Sequence, residues 1–194
     1  MPLGANKVAL LGVAGVSTGT AVLLSTATAS DDASISFTLP TAYKQVKFGL
    51  YNVTPATDDS TFQFQVNASG QTGYNETMTT TSFRAYHTED NATAVLGYRT
   101  DIDQAQGTSY QALTGSVGNG SDESCAGELF LYNPASTTYV KHFVTRLNMY
   151  GGSNYSGDYF IAGYINNTAV ISELDFKFSS GNISTGTIKM WGIK

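Results

Sequence analysis

The sequence predicts an all-β fold: an antiparallel two-sheet, jelly-roll-like sandwich with an ordered N-terminal β arm. Three observations carry that prediction. Near the end of the chain, Leu174, Phe176 and Phe178 alternate with Glu173, Asp175 and Lys177. This period of two gives a strand one dry and one wet face. Similar short runs recur along the chain between Gly, Asn, Asp and Pro turns, at the spacing of a sandwich or barrel. No segment holds a long 3.6-residue apolar period, so any helix is expected to be a single turn. The composition agrees, since 12 Tyr and 10 Phe give ample area for a core and only 13% of residues are charged. A chain of 194 residues suits one domain. We divide it into an arm, residues 1–30, and a sandwich, residues 31–194.

The elements follow in order. Residues 8–24 are almost entirely apolar or small and follow a single Lys7, a pattern that imitates a secretory signal. Gly12, Gly15, Ser17, Thr18, Gly19 and Thr20 interrupt it too often for a membrane-spanning helix. Two strands, 7–12 and 20–25, are expected around a Gly/Ser/Thr turn. Such an arm needs another chain or the sandwich itself to dock on, and its apolar residues Val8, Leu10, Leu11, Val22, Leu23 and Leu24 are the expected assembly contact. Residues 33–39 place Ile35, Phe37 and Leu39 on one face, and Pro40 ends that strand. Residues 45–53 turn Val46, Phe48 and Leu50 inward. In residues 61–67, Phe62, Phe64 and Val66 alternate with Gln63, Gln65 and Asn67, which should face water. A polar loop spans 68–82. Strands then follow at 82–88, 93–100, 108–113, 125–132, 138–150 and 158–165, with Gly-rich loops at 115–124 and 151–157. The stretch 171–178, a turn at 179–186 and the run 187–193 close the chain as an expected hairpin.

The candidate chemistry is sparse. A net charge of −5 argues against neutralising phosphates, so no nucleic-acid partner is expected. Cys125 is alone and reads as a small apolar strand residue. His87 and His142 lack metal-ligand spacing and read as ordinary strand positions. Asp58-Asp59, Asp101-x-Asp103 and Asp122-Glu123 lie in loops; Asp101 and Asp103 are weak metal candidates, and no cofactor is expected. Glu173-Leu-Asp175 resembles the start of an acidic Glu-x-Asp-x-x-Glu strand of jelly-roll glycoside hydrolases, but the third acid falls at Phe178. Its expected role is therefore a solvated strand face, and no enzyme is expected. Tyrosines near Asn and Asp suit saccharides, because a flat ring stacks on a sugar face while polar groups take its hydroxyls. Tyr74, Tyr110, Tyr155 and Trp191 are the glycan candidates, Trp191 lying on the strand face opposite Ile188 and Met190.

The string Phe178-Ser-Ser-Gly-Asn-Ile-Ser-Thr-Gly-Thr-Ile-Lys-Met-Trp-Gly-Ile-Lys194 resembles the terminal hairpin of a β-sandwich family from tailed, especially marine, bacteriophages. Met1-Pro-Leu-Gly-Ala5 resembles the start of many such virion proteins. Phe48-Gly-Leu-Tyr-Asn-Val-Thr-Pro-Ala-Thr-Asp58 with Phe62-Gln-Phe-Gln-Val66 resembles the family's first core hairpin. The resemblance covers roughly residues 45–194 and carries over no active-site residue. It implies a virion location, a tail-fibre or capsid-decoration role, other virion proteins as partners, and a homo-oligomer, by family a trimer. Host-surface glycans are the further expected partner. The alternative is a secreted carbohydrate-binding module or lectin whose first 29 or 30 residues are a cleaved signal; in that setting the sequons at Asn52, Asn67, Asn75, Asn91, Asn119, Asn154, Asn166 and Asn182 would matter.

Overall fold

The large apolar side chains alternate along each strand, and the strands stack so that these side chains meet between two sheets. The computed structural model describes residues 21–194. The expected strand at 7–12, with Val8, Leu10 and Leu11, lies outside the described residues. The eight-stranded sheet has the order β1 (Ala21–Asp32), β12 (Ile183–Ile193), β3 (Gln45–Pro55), β8 (Cys125–Tyr132), β9 (Lys141–Gly151), β10 (Tyr155–Ile165), β5 (Met78–Thr88) and β6 (Ala94–Tyr98). The four-stranded sheet has the order β2 (Ile35–Thr38), β11 (Ile171–Phe178), β4 (Ser60–Ala68) and β7 (Gln111–Val117). All pairings are antiparallel.

The connectivity is that of a jelly roll. β1 lies beside β12 in one sheet and β2 beside β11 in the other; β3 then lies beside β8 and β4 beside β7. The hairpins β5–β6 and β9–β10 are additions that widen the large sheet. Between the sheets, Phe176 meets Phe37, Phe48 and Phe62 at ring separations of 6.3, 5.3 and 5.6 Å. Each such pair contributes roughly 0.5–1.5 kcal/mol beyond its buried area.

Two expectations need correcting. The closing segments are strands, but they do not form a hairpin: β11 pairs with β2 and β4, whereas β12 pairs with β1 and β3 in the opposite sheet. The link between them is an arch across the sandwich. The segments at Phe48 and Phe62 are likewise split, as β3 and β4 lie in different sheets. Alternation fixes which face is dry, and a dry face can be buried just as well across the core as beside a hairpin partner. The second correction concerns residues 21–30. They are part of the sandwich itself, because β1 runs to Asp32 and pairs along β12 from Ala21↔Ile193 to Asp32↔Ile183, with an irregularity at Leu24.

Some boundaries also move. β5 starts at Met78 inside the expected loop, β7 reaches Val117, and β10 begins at Tyr155. In each case a neighbouring strand supplies hydrogen-bond partners that local composition does not reveal.

Candidate functional site

The two sheets have very different outer faces. On the small sheet, Asp175 of β11 lies between Gln65 of β4 and Ser36 of β2, and Glu173 lies beside Asn67. Two loops, 69–77 and 99–110, fold over this surface. Gln65 pins them both, donating from Nε2 to the carbonyls of Glu76 (3.0 Å) and Ser109 (3.1 Å). Tyr74 from the first loop and Tyr110 from the second have ring centres 6.4 Å apart. The Tyr110 hydroxyl donates to Asp175 Oδ2 (2.9 Å) and Ser36 Oγ donates to Oδ1 (2.6 Å). Tyr74 Oη (3.3 Å) and Asn67 Nδ2 (2.9 Å) both donate to Glu173 Oε2. Lys177 Nζ sits 4.0 Å from the Tyr110 ring centre.

Asp175 is only 1% exposed, and Gln65 and Asn67 are also buried. The expected solvated face is therefore corrected at these positions. Their polar side chains are kept off the core by alternation, but the loops take the place of water. Burial, and then the charge of Asp175, push the Tyr110 hydroxyl well above the usual tyrosine range. Burial also raises Tyr74.

The structure thus brings Tyr74 and Tyr110 together, with their hydroxyls bonded to carboxylates of the protein. Beside Tyr110 runs a groove of ≈ 510 Å³ lined by Gln63, Asp101, Asp103 and Ser109. The two weak metal candidates have separate partners. Arg99 donates from Nε to Asp101 (2.7 Å) and holds that carboxyl down to about 2, while Asp103 accepts from the Tyr98 hydroxyl (2.7 Å). Among the described residues no three His, Cys, Asp or Glu converge on a metal position. Tyr155 lies elsewhere, packed edge-on to Tyr86 at 5.7 Å, and burial pushes its hydroxyl up to about 12. Cys125 is buried in β8, and burial pushes its thiol up to about 12, which removes the thiolate a nucleophile needs.

Among the described residues, no loop folds over the large sheet in this way. One row of its outer face runs Tyr98–Phe83–Phe160–Arg146–Glu128–Gly49–Lys189 from β6 to β12. The row beside it runs Ala162–Val144–Phe130–Lys47–Trp191–Leu23 from β10 to β1. Phe83 and Phe160 stack at 4.9 Å, and Arg146 lies 4.6 Å over Phe160 while paired to Asp158 (2.8 Å). Lys47, bonded to Glu128, sits between the rings of Phe130 (5.4 Å) and Trp191 (5.8 Å). Trp191 lies across Gly49, where an added Cβ would come within 2.8 Å of its ring. Phe83, Tyr98, Val144 and Leu23 are exposed. Next to Leu23 on the edge strand, Val22 and Leu24 are half-buried, and Leu24 packs against the core.

The sequence reading found Trp191 and Leu23 but missed Phe83, Phe130, Val144 and Phe160. The signal was there: Tyr159-Phe-Ile-Ala and Leu129-Phe-Leu are apolar at consecutive positions, so both faces of those strands carry oily groups. Contiguous exposed apolar surface rich in aromatics and Arg marks a contact surface. Sequence searches find no matching protein-family model and no matching curated protein.

Proposed function

We propose that this chain is a virion structural subunit of a tailed bacteriophage, of tail-fibre or capsid-decoration type, which assembles with copies of itself and displays its loops toward the host surface. The observation that carries this reading is the aromatic belt across the outer face of the large sheet. Buried aromatic and Arg anchors dominate the energy of protein interfaces, and here they stand on rigid strands. The belt ends at β1, and the 20 residues that precede Ala21 in the sequence are rich in Val, Leu and Ala. The second copy is therefore the occupant we assign to this face. A module repeated on a particle gains avidity from individually weak sites.

The resemblance of 178–194 and 48–66 to phage sandwich proteins supports the virion part of the reading. The alternative, a secreted carbohydrate-binding module cleaved near residue 30, fits less well. A chain beginning at Ser30 or Asp31 would lose the ladder from Ala21↔Ile193 through Ala29↔Gly186 and leave β12 as an edge.

Sedimentation velocity on the full chain tests the assembly. The wild type should form a discrete oligomer, a trimer by family resemblance, and the double variant Phe83→Ser, Phe160→Ser should be monomeric and folded. A monomeric wild type at about 100 μM, where even weak complexes populate, would remove the assembly reading. Mass spectrometry of purified tailed particles should find peptides from residues 1–30. Recovery of the chain only from culture medium, starting at Ser30 or Asp31, would favour the alternative.

A further inference from the structure

At one end of the sandwich, the link between β2 and β3 meets the turn between β8 and β9. Between them lies a groove of ≈ 490 Å³ whose walls include Tyr43, Lys44, Asn133, Ser136, Thr138 and Tyr139. That size is within the range of small-molecule sites, roughly 300–1,000 Å³. The walls are built in advance. Asn133 N–H donates to the Lys44 carbonyl (2.6 Å), which ties one wall to the other. Asn133 adopts a φ of 47°, and the Ser136 N–H closes the turn onto its carbonyl (2.9 Å). Ser136 Oγ then accepts from the backbone N–H groups of Thr138 (3.2 Å) and Tyr139 (3.0 Å), leaving its own hydrogen free to donate.

This rigid turn holds Tyr139 out with 73% of its surface exposed, the most exposed large hydrophobic side chain among the described residues. The Tyr43 ring is fixed against Gly192, where an added Cβ would overlap it. Lys44 is exposed and makes no ion pair among the described residues, although the chain carries a net charge of −5.

We infer that this groove binds an acidic saccharide, a pyranose bearing a carboxylate such as a uronate. The Tyr139 ring offers a flat face for the C–H side of the sugar. Asn133 and the Ser136 and Thr138 hydroxyls line the same groove and can bond sugar hydroxyls. Lys44 supplies the one cation among the described residues that line the groove, and a neutral sugar would leave it unused. A polyphosphate chain is a poor fit, because a single lysine on an acidic protein cannot neutralise successive phosphates. The groove lies at the strand ends and the site does not require the aromatic belt, so its failure would leave the assembly reading standing.

The test is an NMR titration of the full chain with trigalacturonate and, separately, with galactotriose as the neutral counterpart. The amides of Asn133, Thr138 and Tyr139 should shift with the uronate, which should bind about fivefold more tightly than the neutral sugar, the gain of a single exposed charge pair. Lys44→Gln should cut that preference to about twofold or less while leaving neutral binding unchanged. Tyr139→Ala should weaken both sugars by about tenfold, the loss of one stacking ring. Tyr110→Phe, in the other groove, should change neither. Equal affinity for the two sugars, shifts confined to the Tyr74–Tyr110 region, or no shift with the uronate at about 10 mM would each overturn the assignment.

Discussion

The outer face of the small sheet and that of the large sheet are made by the same rule and end in opposite states. In both, residues between the core positions point away from the sandwich. On β11 and β4 these are Glu173, Asp175, Gln65 and Asn67, and the protein's own loops close over them. On β5, β8, β9 and β10 they are Phe83, Phe130, Val144 and Phe160, and no loop of the described chain closes over them: Phe83 and Val144 are exposed, and Phe130 and Phe160 are half-buried by neighbouring side chains of the same face. Polar groups under a cover must find partners inside the protein. Apolar groups without a cover leave surface that a partner can bury. The first face therefore contributes to stability, and the second is available for contact.

Substitutions on the two faces should separate these roles. The largest effect is expected for Asp175→Ala, which leaves the hydroxyls of Ser36 and Tyr110 without their acceptor beneath the loops. A loss of about 2–3 kcal/mol is expected, or roughly 4–12 °C in Tm for a domain of this size, with the oligomeric state unchanged. A loss below about 0.5 kcal/mol would mean that the covered network is not holding the loops. Tyr110→Phe keeps the ring and removes one hydrogen bond, so chemical denaturation should report about 1–1.5 kcal/mol.

The same hydroxyl gives the face a pH signature. Its titration is raised above the ordinary value of 10.0, so its contribution is complete below pH 10 and is lost as the pH rises past that point. Absorbance at the tyrosinate band should show Tyr110 ionising only together with alkaline unfolding, and normal titration in a folded chain would contradict the cover.

On the large sheet the ordering reverses. Phe160→Ser removes the stack on Phe83, so it should lower the unfolding free energy by roughly 0.5–1.5 kcal/mol while shifting the sedimentation of the full chain toward monomer. A large loss of stability with unchanged sedimentation would make the belt structural. The smallest effect belongs to Arg146→Gln. Its ion pair with Asp158 is 66% exposed on the arginine side, so the denaturation midpoint should barely move, and high salt should reduce the effect further.

Much of the fold was legible in the sequence. Period two marked Phe62, Phe64, Val66, Leu174, Phe176 and Phe178 as inward, and all are buried. Cys125 as a buried apolar strand residue was legible for the same reason. The pairing of Tyr74 with Tyr110 was not, because two loops from distant parts of the chain meet only after the sheet has formed. Tyr139 falls within the expected strand 138–150, whereas β9 starts at Lys141; its exposure depends on the turn that Ser136 closes. The belt was half legible: consecutive apolar residues in β8 and β10 announced oily groups on both faces, but their alignment into rows needs the register of eight strands.

By itself the sequence determined that this chain is a β-sandwich and which side of each strand is dry, because side chains alternate across a strand whatever its neighbours are. Only the tertiary structure decided which sheet each strand joins, that the closing segments arch across the core instead of pairing, and that Asp175 is covered while Phe83 is exposed. Those outcomes depend on hydrogen-bond partners and loops that lie far away in the chain, and a local pattern of oily and polar residues carries no information about them.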